Sequence, residues 1–540
     1  MPRRLPALVA LTAAPAGVEA LALRAGGFAP ALAPQASAPA PVGVFHDLRW
    51  IVVYHDSWPA FAVEVAAGIV VRALLTTAIV AAAWPADRPS PSLPGLLRVN
   101  LLFTVLAVVA LAPWAAVTAA ASVTSLSWLL VGVAPPLVLL TLVLQCGGVT
   151  GGWWRGLPPL PALAWGVAGF ALFTVDAVIA GVTPGWWTVP VSAVLGALNA
   201  VLWYGLVAAA VAARPRLARV PVAPAAMVLT VGSIAAMSVF APLGSAAAAR
   251  PPPPLTAHGL RAPDQALMYV AGYDSVYDGR PRRAGLPLVR YSYRGLDGNG
   301  RPLPYDAAST HQSLALSARR VAAQVAAVHA RTGRPVALIA QSEGTLVVRT
   351  YLETFPHPAV DAAVQLDALP QPSRGYYPPP GAGSGWGVAT GWELRAIIAV
   401  VRATSGARLS PDEPLLRSLL DDGPLYRDRM LCPVPGVRMI AFVSTDSAVV
   451  DPPAGPSGIP VIRVTGLHGT LYGRADVQRT VVAFLDGATP GGARVGYYPL
   501  AQRAAAAWQA PALRPELNPV WRSGRHAGGP GRTGQPGCRG

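Results

Sequence analysis

The sequence predicts a chain in two parts: an N-terminal all-α transmembrane bundle of six or seven helices and, after a Pro-rich linker, an α/β domain built on a mainly parallel sheet. Three observations lead there. Of 540 residues, 53% are hydrophobic and only 13% charged, too apolar a balance for an ordinary soluble protein. The polarity is also uneven: up to about Ala249 the chain is dominated by Ala, Val, Leu, Trp and Pro, whereas from Arg250 onward Asp, Glu, Arg, Tyr and turn residues appear at globular frequency. In that second part short apolar runs alternate with amphipathic stretches, the pattern of βαβ units in a sheet covered on both faces.

Crossing ~30 Å of hydrocarbon takes roughly 20 apolar residues. Six stretches qualify, at about 60–84, 99–121, 126–145, 161–182, 188–212 and 221–245. A seventh, 5–23, follows Arg3 and Arg4 and contains Pro15 and Glu19, so it reads as a weak span or a signal-like segment. With the N-terminus inside and this segment crossing, Arg3, Arg4, Arg88, Arg98, Arg155, Arg214, Arg216 and Arg219 lie inside, against Arg24, Arg49 and Arg250 outside. That bias places the C-terminal domain outside the cytoplasm of a multi-pass cell-membrane protein. Glu64, Arg72 and Asp176 fall within spans, where charge is costly, and Arg72 and Asp176 are expected to pair across helices. The expected partner of this half, residues 1–249, is the lipid bilayer, and its expected role is that of an anchor.

The net charge of +16 comes entirely from arginine, since the chain has no lysine. No basic stripe interleaved with aromatics is present, which argues against nucleic-acid binding. Cys146, Cys432 and Cys538 form neither a disulfide framework nor a metal-ligand spacing.

Residues 250–261, with Pro251 to Pro254, form a stiff extended linker. Beyond it, strands are expected at 266–271, 287–293, 335–341, 362–369, 437–444 and 459–465, with helices at 310–330, 345–355 and 475–485. The third strand ends in Val-Ala-Leu-Ile-Ala-Gln-Ser-Glu-Gly-Thr, a nucleophile elbow: a sharp strand-to-helix turn presents Ser342 Oγ and leaves room only for small residues two positions either side. Ala340 stands where the G-x-S-x-G pattern has glycine, and Gly344 matches.

A serine hydroxyl needs a base within hydrogen-bond reach and a third group to orient that base. Among eight histidines only His468 directly follows a strand and precedes a helix. The others occupy the membrane half (His46, His55), the linker (His258), the helix before the elbow (His311, His329, read as surface residues), a Pro-flanked loop (His357) and the tail (His526). Asp446, at a strand-loop junction, is the candidate orienting acid, with Asp451 and Asp367 as rivals. For the oxyanion, the candidate donors are the N–H of Glu343, after the nucleophile, and that of Tyr273, in the first-strand loop that Gly272 allows to turn closely.

These elements, in this order, make residues from about 262 to 487 resemble an α/β-hydrolase of the lipase/esterase kind. The resemblance implies a Ser342-Asp446-His468 triad, an acyl-enzyme intermediate, and no metal or organic cofactor. It also implies that the insertion at about 370–435, with Tyr376, Tyr377, Trp386 and Trp392, is a cap over the serine. The leading expectation is a membrane-anchored serine hydrolase acting on carboxylic, lipid-like or small-molecule esters. Acyl transfer through the same triad is an alternative, and so is a transporter or membrane scaffold whose hydrolase-like domain only binds. Residues 488–540 are expected to be a largely disordered tail, apart from a short helix near 500–509.

Overall fold

The computed structural model describes residues 4–124, 149, 158–212, 254–257, 260–281, 285–405, 410–444, 457–489, 498–522 and 538. The expected spans 126–145 and 221–245, half of the linker, and Asp446 and Asp451 lie outside the described residues. Five described helices are long and apolar enough to cross a membrane. They are α1 (Leu5–Ala25), α3 (Trp58–Ala83), α4 (Leu93–Thr124), α5 (Leu160–Val182) and α6 (Thr188–Ala212), with a short α2 (Val42–Ile51) between the first two. Segment 5–23 is thus a span-length helix packed within the bundle. Small residues bring α1 and α6 together: a Cβ at Gly196 would lie 2.6 Å from Thr12 O and 2.7 Å from Ala16 Cβ, a crossing that only glycine permits.

The loop between α1 and α3 does not lie on the surface. Residues 32–49 are almost continuously buried, and they supply the partners of the intramembrane charges. Arg72 Nε donates to Asp47 Oδ2 over 2.8 Å and Arg72 Nη1 to Ala36 O over 2.7 Å, so its partner is Asp47 rather than the expected Asp176. Glu19 meets His46 at 3.0 Å. Asp176 is buried, and its Oδ2 has no hydrogen-bond partner among the described residues. Sequence spacing pairs span with span and has no way to show that a loop helix tucks between them.

Six strands, β1 (Ala266–Val270), β2 (Leu288–Arg290), β3 (Val336–Gln341), β4 (Val360–Leu366), β5 (Arg438–Ser444) and β6 (Val461–Val464), form one all-parallel sheet in the order β2-β1-β3-β4-β5-β6. Successive side chains serve opposite faces, which explains the uninterrupted apolar runs. Met268, Val270, Leu338 and Ala340 join one core with α7 (Leu314–Thr332) and α8 (Glu343–Thr354). Leu267, Tyr269, Ala337 and Ile339 join the other with α12 (Ala475–Leu485). The chain runs from β1 outward to β2 and returns on the far side of β1 as β3. The carboxyl ends of β1 and β3 therefore flank a topological switch point, where a crevice opens above a parallel sheet.

The insertion carries α9 (Val388–Ser405), α10 (Pro414–Asp421) and α11 (Gly423–Arg429), and it packs between the sheet and the bundle. Ser373 and Arg374 N–H donate to Val123 O and Ser122 O at the end of α4, and Gly387 N–H donates to His55 O. Ala389 N–H donates to His55 Nε2 over 2.9 Å. The expected tail is folded over residues 498–522, as α13 (Tyr498–Ala506) and α14 (Pro519–Arg522). Trp508 stacks on Phe170 of α5 with ring centroids 4.1 Å apart, Arg49 donates to Ala507 O and Gln509 O, and Arg374 donates to Gln509 Oε1. Cys432 and Cys538 form a disulfide across 106 residues, where the sequence showed no disulfide framework; a pairing at such range leaves no mark in local spacing.

Candidate active site

Three strand ends carry strain where they converge. Among the described residues, four non-glycine positions have positive φ, and three of them directly follow or nearly follow a sheet strand: Asp274 after β1 (57°), Ser342 after β3 (53°) and Asp367 after β4 (50°). Backbone of this kind costs on the order of 1–3 kcal/mol per residue and persists only where the surroundings over-determine it. At Ser342 (φ 53°, ψ −121°) the chain turns from β3 straight into α8. The turn is held by Ser342 N–H donating to Leu366 O over 3.0 Å and by Thr345 N–H donating to Ser342 O over 2.9 Å. A Cβ at position 344 would lie 2.3 Å from Val270 O, so Gly344 is sterically required. Ala340, in register with Val270 of β1 and Gln365 of β4, contributes its methyl to the core under the turn. The departure from glycine there is accommodated.

Ser342 Oγ lies 2.8 Å from His468 Nε2. The loop that brings the histidine in follows β6 and is braced from beneath by residues of other strands. Gln341 Nε2 donates to Gly469 O over 2.9 Å and to Asp367 Oδ2 over 3.3 Å, and Leu471 N–H reaches the same Oδ2 at 3.4 Å. Tyr269 OH in turn hydrogen-bonds Gln341 Oε1. Asp367 is fully buried; desolvation holds its carboxyl above the usual range, against the opposing effects of His468 and the hydrogen bond from Gln341. Asp367, the rival acid in the sequence, thus anchors the histidine loop. β5, which ends at Ser444, lies between β4 and β6, and Asp446 and Asp451 lie outside the described residues.

On the other side of the serine lies the β1 loop. A Cβ at Gly272 would sit 2.9 Å from Ser342 Cβ and 3.4 Å from Ser342 Oγ, so the loop backbone passes directly against the nucleophile candidate. Glu343 is the first residue of α8, so its N–H has no acceptor within the helix. The Glu343 side chain is buried, and desolvation first, then the charge of Glu413, raise its carboxyl well above 4.5.

Sequence reasoning missed the brace formed by Tyr269, Gln341 and Asp367, and it also missed His311. That residue closes a 3-10 turn at Ala307–His311 ahead of α7 instead of lying on the helix surface, and it contacts Asp274 and Glu413. No local signal ties His311 to an acid more than 100 residues downstream. Among the described residues no group of three or more His, Cys, Asp or Glu is placed to hold a metal ion. The arrangement can activate a hydroxyl: a strained serine, an imidazole nitrogen in hydrogen-bond contact, and a loop backbone packed against the same Cβ. Comparison with protein-family models, curated proteins and solved structures gave no match.

Proposed function

We propose that the chain is a membrane-anchored serine hydrolase of α/β-hydrolase type that cleaves carboxylic esters through an acyl-enzyme. The observation that carries this reading is the 2.8 Å contact between His468 Nε2 and the Oγ of a serine held at positive φ at the sheet's switch point. His468 removes the Ser342 proton as Oγ attacks the ester carbonyl. The oxyanion then accepts from the Glu343 and Tyr273 N–H groups, with Gly272 allowing the loop to approach. Collapse of the tetrahedral intermediate expels the alcohol, protonated by His468; water activated by the same imidazole then releases the acid. Asp446 orients the imidazole, and Asp367 holds the loop that carries it.

Lipid-like esters are the substrate class that best suits this architecture. The insertion joins the catalytic sheet to the bundle, and exposed Trp58, Trp186, Trp187 and Trp392 mark the bundle end nearest it, the position tryptophan favours at a membrane interface. The catalytic domain is extracytoplasmic in this reading, and two features support that side. Arg4 donates to Ala81 O at the end of α3 remote from Trp58, and Arg88 and Arg98 follow that end in the chain. The Cys432–Cys538 disulfide also suits an oxidising compartment. Turnover of p-nitrophenyl esters of graded chain length by the full-length protein in nanodiscs tests the reading. Activity is expected in the wild type and absent in Ser342→Ala and His468→Ala; equal activity in all three proteins rejects it.

A further inference from the structure

The loop after β1 is held by an unusual arrangement of ionisable groups. The Tyr273 ring lies flat against His311, with centroids 4.5 Å apart and planes 4° from parallel, and its hydroxyl donates to Glu413 Oε2 over 3.1 Å. Both ring nitrogens of His311 face carboxylates: Nε2 lies 2.8 Å from Asp274 Oδ1 and Nδ1 3.3 Å from Glu413 Oε2. A neutral imidazole has one N–H, so with Glu413 ionised only the imidazolium donates to both; desolvation raises the Glu413 carboxyl to about 7, against the opposing charge of His311 and the hydrogen bond from Tyr273. Burial alone pulls the His311 pKa down, but the hydrogen bond to Asp274 and the charges of Glu413, Asp274 and Asp306 outweigh it and hold the pKa above 6.5. Glu343, buried at the start of α8, feels the charges of Glu413 and Asp274 and completes the set of ionisable groups around the junction.

The groups at this junction come from three parts of the chain: the β1 loop, the His311 turn and the insertion. Asp274 continues the β1 loop, and its N–H donates to Thr310 Oγ1 in the His311 turn over 3.0 Å. Glu413 immediately precedes α10 of the insertion, and α10 packs on α4 of the bundle, on α7 and on the His311 turn. Tyr273, clamped by stacking and by Glu413, is the residue next to Gly272, whose Cβ position lies 2.9 Å from Ser342 Cβ.

We propose that His311, as an imidazolium bridging Asp274 and Glu413, is a positioning residue that fixes the Tyr273 amide beside Ser342 by locking the β1 loop to the membrane-docked insertion. The role at the amide rests on the hydrolase reading of Ser342; the bridge itself does not. A side chain that acts this way changes kcat more than KM, because displacing an oxyanion donor by about 1 Å costs roughly 100-fold in rate.

The test uses the full-length protein in nanodiscs, with His311→Ala, His311→Gln and Glu413→Gln compared by ester turnover from pH 6 to 9, thermal melting, and ring 15N NMR of histidine. In the alanine variant kcat is expected to fall about 10- to 100-fold with KM within about twofold. The glutamine variant, which keeps a donor and loses the charge, is expected to recover part of that loss. Wild-type kcat should also decline on the alkaline side as His311 loses its proton, and that limb should be missing from both His311 variants. An alanine variant with wild-type kcat and pH profile overturns the proposal, as does a neutral His311 ring at pH 7. Should the alanine variant not fold, Glu413→Gln carries the same prediction at conserved volume. A wild type that turns over no ester fails the hydrolase reading instead, and the 15N spectrum of the same sample still decides whether His311 is the charged bridge.

Discussion

Adding one methyl group at Gly272 tests the geometry of the proposed oxyanion side with little else disturbed. The backbone at this position does not have the positive φ that excludes L side chains, so alanine is conformationally allowed and only its Cβ matters. That Cβ would start 2.9 Å from Ser342 Cβ, 3.1 Å from Gln341 O and 3.4 Å from Ser342 Oγ. Carbon atoms rest at about 3.5–4.0 Å, so the β1 loop and the elbow must separate by roughly 0.6–1 Å. Overpacking on this scale costs about 1–3 kcal/mol of stability. The same displacement moves the Tyr273 N–H away from the position an oxyanion occupies, which is expected to lower kcat about 100-fold. Gly272→Ala should therefore melt a few degrees below wild type, fold fully at 25 °C, and hydrolyse p-nitrophenyl esters about two orders of magnitude more slowly. A folded variant with the wild-type rate refutes the placement of the β1 loop at the reacting centre.

Further predictions follow from neighbouring residues. Asp446→Asn should lower kcat by about 10³–10⁴ through misorientation of the imidazole. Asp367→Asn should act through the histidine loop and cost less; parallel kinetics showing the reverse order would make Asp367 the orienting acid. Glu343→Gln should leave stability unchanged near pH 4, where the wild-type carboxyl is protonated in both states. Because burial raises the folded-state pKa, the wild type loses stability as pH rises above about 4.5, and the glutamine variant should not, a difference read from melting temperature against pH. Cys432→Ser opens a loop of 106 residues and is expected to cost about 4–5 kcal/mol of stability by the chain-entropy argument, measurable as a fall in melting temperature that reductant reproduces in the wild type.

Much of the fold was legible because it is written in periodicity. The runs around Leu338 and Val364 read as strands because both faces of the sheet are covered, and 310–330 reads as a helix because Val321, Val325 and Val328 share one face, the observed helix running over Leu314–Thr332. The elbow was legible because its sterics are local: Gly344 and Ser342 act on their immediate neighbours. What was not legible is long-range. Asp47 meets Arg72 because a loop helix enters the bundle, Trp508 stacks on a helix more than 300 residues earlier, and Glu413 meets His311 across an insertion. These contacts come from tertiary packing between segments whose own patterns look like loop, tail and cap, and composition averages over the few apolar anchors, Trp508, Leu513 and Trp521, that fix the C-terminal stretch.

Ser342 as the nucleophile of an anchored hydrolase is open to a single chemical test: mapping a fluorophosphonate adduct by mass spectrometry on the full-length protein in nanodiscs. One stoichiometric adduct is expected on the peptide carrying Ser342, lost in Ser342→Ala and strongly slowed in His468→Ala. An adduct that persists in Ser342→Ala, or a wild-type protein that takes no label at all, contradicts that role.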